Sequence, residues 1–172
     1  PPFAGDFAVW LGGADLENAN LTQSVFIPQS PASLSYYYQI RALDSCGGDA
    51  FNISVNNTII YDITLCQGPA TSDWTENGID LSAFAGQFVT LSFNVITNES
   101  SPQTDTGLGA SNFFLDNVVL ISGAAVPPAT ATPSPEPTTT DPVTKPVVAS
   151  IENNDFEDAT SEAWLEESTT YG

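Results

Sequence analysis

Two stretches of the chain alternate strictly between apolar and polar side chains. Every second residue is apolar in 34–40 and again in 89–95, and most of the residues between them are Ser, Thr, Asn or Gln. Successive side chains of a β-strand point to opposite faces, so this period of two predicts two strands with one face in a core and the other in solvent.

The rest of the first 125 residues is also predicted to be β-structure. Residues 51–55 and 59–63 flank Asn56-Asn57 and predict a hairpin, because Asn tolerates the positive φ of tight turns. Further strands are predicted at 7–11, 21–27 and 113–121. No stretch repeats with the helical period of 3.6, so we expect only a short helical turn near 81–85. Seven or eight strands separated by Gly, Pro and Asn predict an all-β sandwich.

Composition divides the chain into a body, a linker and a tail. The body, residues 1–125, holds 12 acidic residues and Arg41, which gives a net charge of −11. The linker, residues 126–148, contains seven prolines among Thr, Ala and Ser, which predicts an extended spacer. The tail, residues 149–172, carries seven acidic residues together with large apolar side chains.

A segment as short as the tail cannot bury its apolar side chains alone against the entropy of ordering its backbone. The tail therefore needs a partner surface, unless it is a solvated acidic segment. The side chains that we expect to anchor it are Ile151, Phe156, Trp164, Leu165 and Tyr171.

Charge and the absence of histidine exclude several classes of function. The 172 residues include 21 acidic and 2 basic residues and no His, for a formal net charge of −19. Nucleic acid is an implausible partner, because phosphates are bound by clusters of Lys and Arg. Imidazole-dependent catalysis is excluded, and carboxylate pairs are too common here to indicate a glycosidase, so we expect no enzyme activity. No apolar run reaches about 18 residues, so we expect no membrane span.

The two cysteines indicate the compartment. Cys46 and Cys66 are the only cysteines, and their spacing matches no metal-binding or redox motif. We predict a disulfide between them rather than two buried thiols, and hence an oxidising, extracellular environment. The start at Pro1-Pro2, with no signal peptide, is expected of a processed chain or of a piece of a longer one.

Four stretches of the body resemble one family of modules. They are Phe-Ala-Val-Trp-Leu-Gly-Gly at 7–13, the strand at 21–28, Trp74 with 79–87, and Phe-Phe-Leu-Asp-Asn-Val at 113–118. Together they resemble the jelly-roll modules attached to many secreted bacterial proteins, which are similar to carbohydrate-binding modules. The resemblance implies a jelly-roll β-sandwich that acts outside the cell.

The opening motif of such modules stands at the other end of this chain. Modules of this kind begin with Asn-x-x-Phe-Glu and a Trp further on, and here 153–157 followed by Trp164 matches that opening. The body then lacks a strand beside 113–121, which would leave an uncovered apolar groove. Three arrangements remain open: the tail folds into its own body, it begins a second module, or it enters the next subunit. We favour exchange between subunits because the linker is long and stiff.

The resemblance also implies a structural calcium ion. Such modules often hold calcium between the Glu of the opening strand and an Asp near the start of the closing strand. By that likeness Glu157 and Asp116 are the predicted ligands, with Asn117 and Asp155 as additions, and all of them offer the oxygen ligands that calcium prefers. In the alternative, Asp116 caps a strand end and Glu157 is solvated.

The remaining predictions concern the surface and the function. Tyr37 is expected to face outward and to offer a ring to a sugar, whereas Trp10 and Trp74 are expected to pack inside. Possible glycosylation sites are the sequon residues Asn20, Asn52, Asn56 and Asn98. We expect a non-enzymatic subunit of an extracellular filament or cell-surface assembly, with a role in adhesion, that polymerises head to tail as a homo-oligomer. The alternative is a calcium-stabilised carbohydrate-binding module of a larger secreted protein that binds surface glycans.

Overall fold

The computed structural model describes residues 1–29, 31–42, 48–66, 68–98, 110–122, 151–158 and 160–170. In these residues the strands are β1 (Val9–Gly12), β2 (Asn18–Phe26), β3 (Ala32–Arg41), β4 (Ala50–Val55), β5 (Thr58–Thr64), β6 (Thr75–Asp80), β7 (Phe88–Ile96), β8 (Asn112–Ser122) and β9 (Leu165–Ser168). One short 3₁₀ helix, Ser82–Phe84, lies between β6 and β7, where the helical turn was expected.

The strands form two antiparallel sheets. One has the order β1-β8-β3-β6 and the other the order β5-β4-β7-β2-β9. Apolar side chains from both sheets form one shared buried cluster. The prediction of an all-β sandwich is therefore confirmed.

The alternating stretches place their apolar residues in this cluster as predicted. In β7, Val89, Leu91, Phe93 and Val95 are all buried, while the residues between them are half-buried or exposed. The same holds for Leu34, Tyr36 and Ile40 of β3, whereas Tyr38 is partly buried against the cluster.

Aromatic rings fill the centre of the sandwich. The rings of Phe51 and Phe113 stack with centroids 3.8 Å apart, and Tyr36 and Phe93 pack beside them. Burial raises the pKa of the Tyr36 hydroxyl well above its ordinary value. Asn77 Nδ2 donates a hydrogen bond of 2.7 Å to that hydroxyl oxygen, so this buried polar atom has a partner.

The predicted hairpin is confirmed at Asn56-Asn57, which joins β4 to β5 with φ angles of 49° and 65°. The sequence pattern did not predict β6, whose residues alternate only between half-buried and exposed at the edge of the four-stranded sheet. The linker 126–148 lies outside the described residues.

Candidate functional site

The tail lies beside one strand of each sheet, β8 and β2. The Val118 amide of β8 donates a hydrogen bond of 2.8 Å to the Asn154 carbonyl, and β9 pairs with β2, where Leu165 lies opposite Thr22 and Ser168 opposite Ala19. The predicted vacancy beside 113–121 is only partly open, because β3 pairs along β8 and β1 pairs with its residues 112–115. The tail adds one backbone hydrogen bond beyond the end of β1, and β9 forms an edge strand of the second sheet.

The opening motif itself is not a strand. Residues 152–155 form a turn, and positive φ angles at Asn153 (47°) and Phe156 (59°) take the backbone out of the extended conformation. The strand of the tail is β9, which follows Trp164. The likeness to an opening strand is therefore wrong in its secondary structure, and the motif bonds to β8 through Val118 and Asn154 without forming a strand beside it.

Three of the predicted anchors contact the core. Ile151 and Phe156 are buried within the main cluster, and Trp164 packs against it. The Trp164 ring lies 5.9 Å from that of Phe93 and 5.6 Å from that of Phe156, and its Nε1 donates to the Asn153 carbonyl. Large apolar side chains of the tail therefore form part of the body's core.

The other two anchors differ. Leu165 is 59% exposed, so the prediction that its side chain is an anchor is wrong. The reason is that Trp164, the residue before it, already faces the core, which leaves Leu165 on the outer side. Tyr171 lies outside the described residues.

Gln23 holds the tail by its backbone. This side chain of β2 is almost fully buried, and its Nε2 donates to the carbonyls of Glu152 (3.0 Å) and Ala163 (3.2 Å). Its Oε1 accepts a hydrogen bond of 3.1 Å from the Glu152 amide. In the sequence, the one indication of this contact is that Gln23 is a polar residue at an inward-facing position between Leu21 and Val25. Without the tail, this amide group would lose three partners.

On the β8 side of the contact between tail and body, which we call the junction, two carboxylates accept hydrogen bonds from backbone amides. We call this group, formed by Asp116, Glu157 and residues 3–7, the clasp. Asp116 is fully buried, and its Oδ2 accepts from the amides of Phe3 (2.9 Å) and Ala4 (3.1 Å). Glu157 Oε1 accepts from the amides of Asp6 (2.8 Å) and Phe7 (2.9 Å). The N-terminal segment therefore connects β8 of the body to the tail.

Two further features of the clasp involve charge and shape. The pKa of Asp116 lies above its ordinary value, chiefly because the carboxyl group is buried and also because the charge of Glu157 is near. Its hydrogen bonds to backbone amides oppose this increase. Gly5 has a φ of 61°, and a Cβ at this position would collide with the Glu157 carboxylate. The clasp thus requires glycine at this position.

Backbone amides approach the carboxylate oxygens at which calcium is predicted. Asp116 and Glu157 lie together as predicted, but the groups that approach their oxygens are N–H donors, which cannot coordinate a cation. Asn117 donates its amide to Asp116 Oδ1, and Asp155 Oδ1 accepts from the Glu157 amide. Across the described ranges, no group of three or more acidic or cysteine side chains could hold a metal ion. Calcium takes six to eight oxygen ligands, and its binding at this site stays a prediction.

The outer face of the four-stranded sheet differs from the prediction. Phe3 stacks on Tyr37 with ring centroids 3.5 Å apart, so Tyr37 does not offer an open ring. Trp10 is 51% exposed, which corrects the expectation that it packs inside. It stacks beside Phe114, with centroids 6.4 Å apart, because it alternates with the inward Leu11. Trp74 is partly buried, and its Nε1 donates to the Pro1 carbonyl.

Two polar side chains lie beside the pair of rings formed by Trp10 and Phe114. Asn112 Oδ1 accepts a hydrogen bond from Trp10 Nε1, and the Arg41 guanidinium lies 5.6 Å from the centroid of Phe114. Hollows of about 480 and 230 Å³ lie on this face, and both are lined by Arg41 and Phe114. The face combines flat rings with amide and guanidinium donors.

The sequon asparagines differ in accessibility. Asn20 and Asn52 are half-buried within central strands, where Asn20 Oδ1 accepts from Ser92 and Asn52 Nδ2 donates to Asn94. Asn56 and Asn98 are exposed, although Asn56 Oδ1 accepts from the Thr90 amide. Asn56 and Asn98 are therefore the accessible positions for a glycan among the four.

The predicted disulfide stays a prediction. Cys66 is fully buried, and Cys46 lies outside the described residues.

Neither the protein-family models nor the curated proteins contain a match to this chain. In the described part of the chain, no helix has the length and apolar character needed to cross a membrane.

Proposed function

We propose that this chain is a non-enzymatic structural subunit of an extracellular filament or surface assembly, in which the tail of one copy completes the sandwich of the next. The observation that carries the proposal is that Ile151 and Phe156 of the tail are buried in the core cluster of the body. Burial of two such side chains contributes roughly 3 to 6 kcal/mol.

The body depends on the tail for backbone partners as well. Residues 19–22 of β2 pair with β9 and would otherwise form an open strand edge, and the Val118 amide of β8 bonds to the Asn154 carbonyl. Added strands that supply ladder hydrogen bonds and core side chains are the basis of donor-strand complementation.

The structure contains a single copy of the chain, and in it the tail docks into the body of the same chain. That arrangement defines which surfaces match, and a tail from another copy would make the same contacts. Residues 123–150 supply 28 residues between β8 and the tail. At ~3.1 Å per residue an extended proline-rich segment of this length spans about 85 Å, well beyond the ~35 Å diameter of the body.

Exchange of the tail leads naturally to a polymer. Each copy offers one groove and one tail on different parts of the chain, so the contact is head-to-tail and repeats without closing. We expect purified full-length chain to form filaments in negative-stain electron microscopy and a mass that increases with concentration. A single mass of 18.1 kDa at every concentration would contradict the polymer and support a self-closed monomer.

The exposed face around Trp10 favours a second candidate function, a calcium-stabilised carbohydrate-binding module of a larger secreted protein. Aromatic rings stack on the apolar faces of sugars, and amide and guanidinium groups hydrogen-bond to their hydroxyls. Trp10 is exposed beside Phe114, Asn112 and Arg41, and so combines both kinds of group.

We expect Trp10→Ala to weaken glycan binding at least tenfold on an array and in titration calorimetry, and Tyr37→Ala to have little effect because Phe3 covers Tyr37. The melting temperature with calcium and with EDTA tests the metal, and a rise with calcium would support it. If Trp10→Ala and the unmodified chain bound glycans equally, the face around Trp10 would be excluded as the glycan-binding site.

A further inference from the structure

Acidic residues lie on both sides of the tail–body junction. The tail contains seven acidic and no basic residues, and the body contains 12 acidic residues and Arg41. All seven acidic residues of the tail are among the described residues. Association of the two segments therefore brings net charges of −7 and −11 together.

Two acidic residues of the body, Asp116 and Glu17, lie at the junction, and further carboxylates of the tail line its contact with β2. Glu157 is close enough to Asp116 for its charge to raise the pKa of Asp116. Glu152 and Glu162 line one hollow beside β2, and Glu167 lies opposite Asn20 in the ladder. Near the end of β9, the buried Glu17 accepts a hydrogen bond from Ser168.

Among the described residues, no basic side chain contacts the tail. Of the two basic residues, Lys145 lies outside the described residues. Arg41 ends β3 in the four-stranded sheet, where it lies over Phe114 and donates to Gln39. The contacts of the tail in the described residues are apolar packing and hydrogen bonds, and electrostatic repulsion opposes them.

We propose that ionic strength controls the docking of the tail, so that dilute medium releases it and saline medium holds it. This inference rests on the proposed role of the tail as a donor segment. The Debye screening length is about 30 Å at an ionic strength of 0.01 M and about 8 Å at 0.15 M. The repulsion between the tail and the body therefore acts across the whole junction only in dilute medium. Assembly would then be favoured in a saline exterior.

Hydrogen exchange of the full-length chain, followed by mass spectrometry, tests the proposal. We expect protection of the amides in 151–170 to rise more than tenfold between about 0.01 M and 0.5 M NaCl. Protection of the β4–β5 hairpin, which is remote from the tail in the sheet order, should change less than about threefold. Choline chloride should act like NaCl, since screening does not depend on which cation is present.

Two matched variants separate charge from side-chain shape. Glu152, Glu162, Glu166 and Glu167 are all exposed, so replacing them should leave the core unchanged. The fourfold Glu→Gln variant should be protected already in dilute medium and respond little to salt. The fourfold Glu→Asp variant keeps the charge and should keep the response.

Three results would overturn the proposal. They are tail protection that does not rise with NaCl, an equal rise in the hairpin, or an unchanged response in the Glu→Gln variant. Each of these leaves exchange between copies open, because the oligomeric mass at one fixed salt concentration measures exchange separately.

Discussion

Phe156→Ala should lower the free energy of unfolding by about 3 to 5 kcal/mol, the usual cost of deleting a buried phenylalanine side chain. Phe156 is 9% exposed, belongs to the core cluster and packs against Trp164. Its removal would leave a cavity at the place where the tail enters the body. Denaturant titration measures the loss, and hydrogen exchange should show the opening first in 151–170.

Phe88→Ala is the matched control. Phe88 is 80% exposed, so the same truncation removes little buried surface and should change stability by less than about 0.5 kcal/mol. If Phe156→Ala also costs less than about 1 kcal/mol, then the tail does not contribute to the core in solution.

Gln23→Glu should destabilise the junction by about 3 kcal/mol or more at neutral pH, because a buried group loses its partners and gains a charge. The glutamine donates to two tail carbonyls and accepts from the Glu152 amide. A carboxylate would lose both donors and face those carbonyl oxygens. We expect denaturant titration to show the loss and the β9 amides to exchange faster.

The control for this variant adds the same charge at an exposed glutamine. Gln87 is exposed beside the 3₁₀ helix, so Gln87→Glu should leave stability and tail exchange nearly unchanged. Equal effects of the two substitutions would mean that added net charge, and not the contacts of Gln23, determines the loss.

Sequence alone predicts those parts of the fold that depend on local pattern. The alternation in 89–95 specifies which face of β7 is buried, and Asn56-Asn57 specifies the hairpin. Phe156 and Trp164 indicate a partner surface because an acidic tail with large rings cannot bury them alone. Each of these arguments uses only neighbouring residues.

The outer face and the junction depend on how distant segments meet. The period of two places Tyr37 on the outer face, but the path of the N-terminal segment brings Phe3 over it. The same path carries the amides of Phe3, Ala4, Asp6 and Phe7 to Asp116 and Glu157. No local pattern indicates whether amides or a metal ion will satisfy two carboxylates, or that Gln23 will bind the backbone of residues more than a hundred positions away.

Mixing two damaged chains tests tail exchange between copies most directly. Phe156→Ala keeps an intact groove but has a weakened tail, whereas Gln23→Glu keeps an intact tail but has a damaged groove. When the two variants are refolded together with different mass labels, they should form a one-to-one complex in native mass spectrometry. One of its two sandwiches joins the intact groove to the intact tail and should melt near the temperature of the unmodified chain, whereas the other carries both substitutions and should melt lower. If the two variants instead stay separate and equally unstable in the mixture, then the tail does not pass from one copy to another.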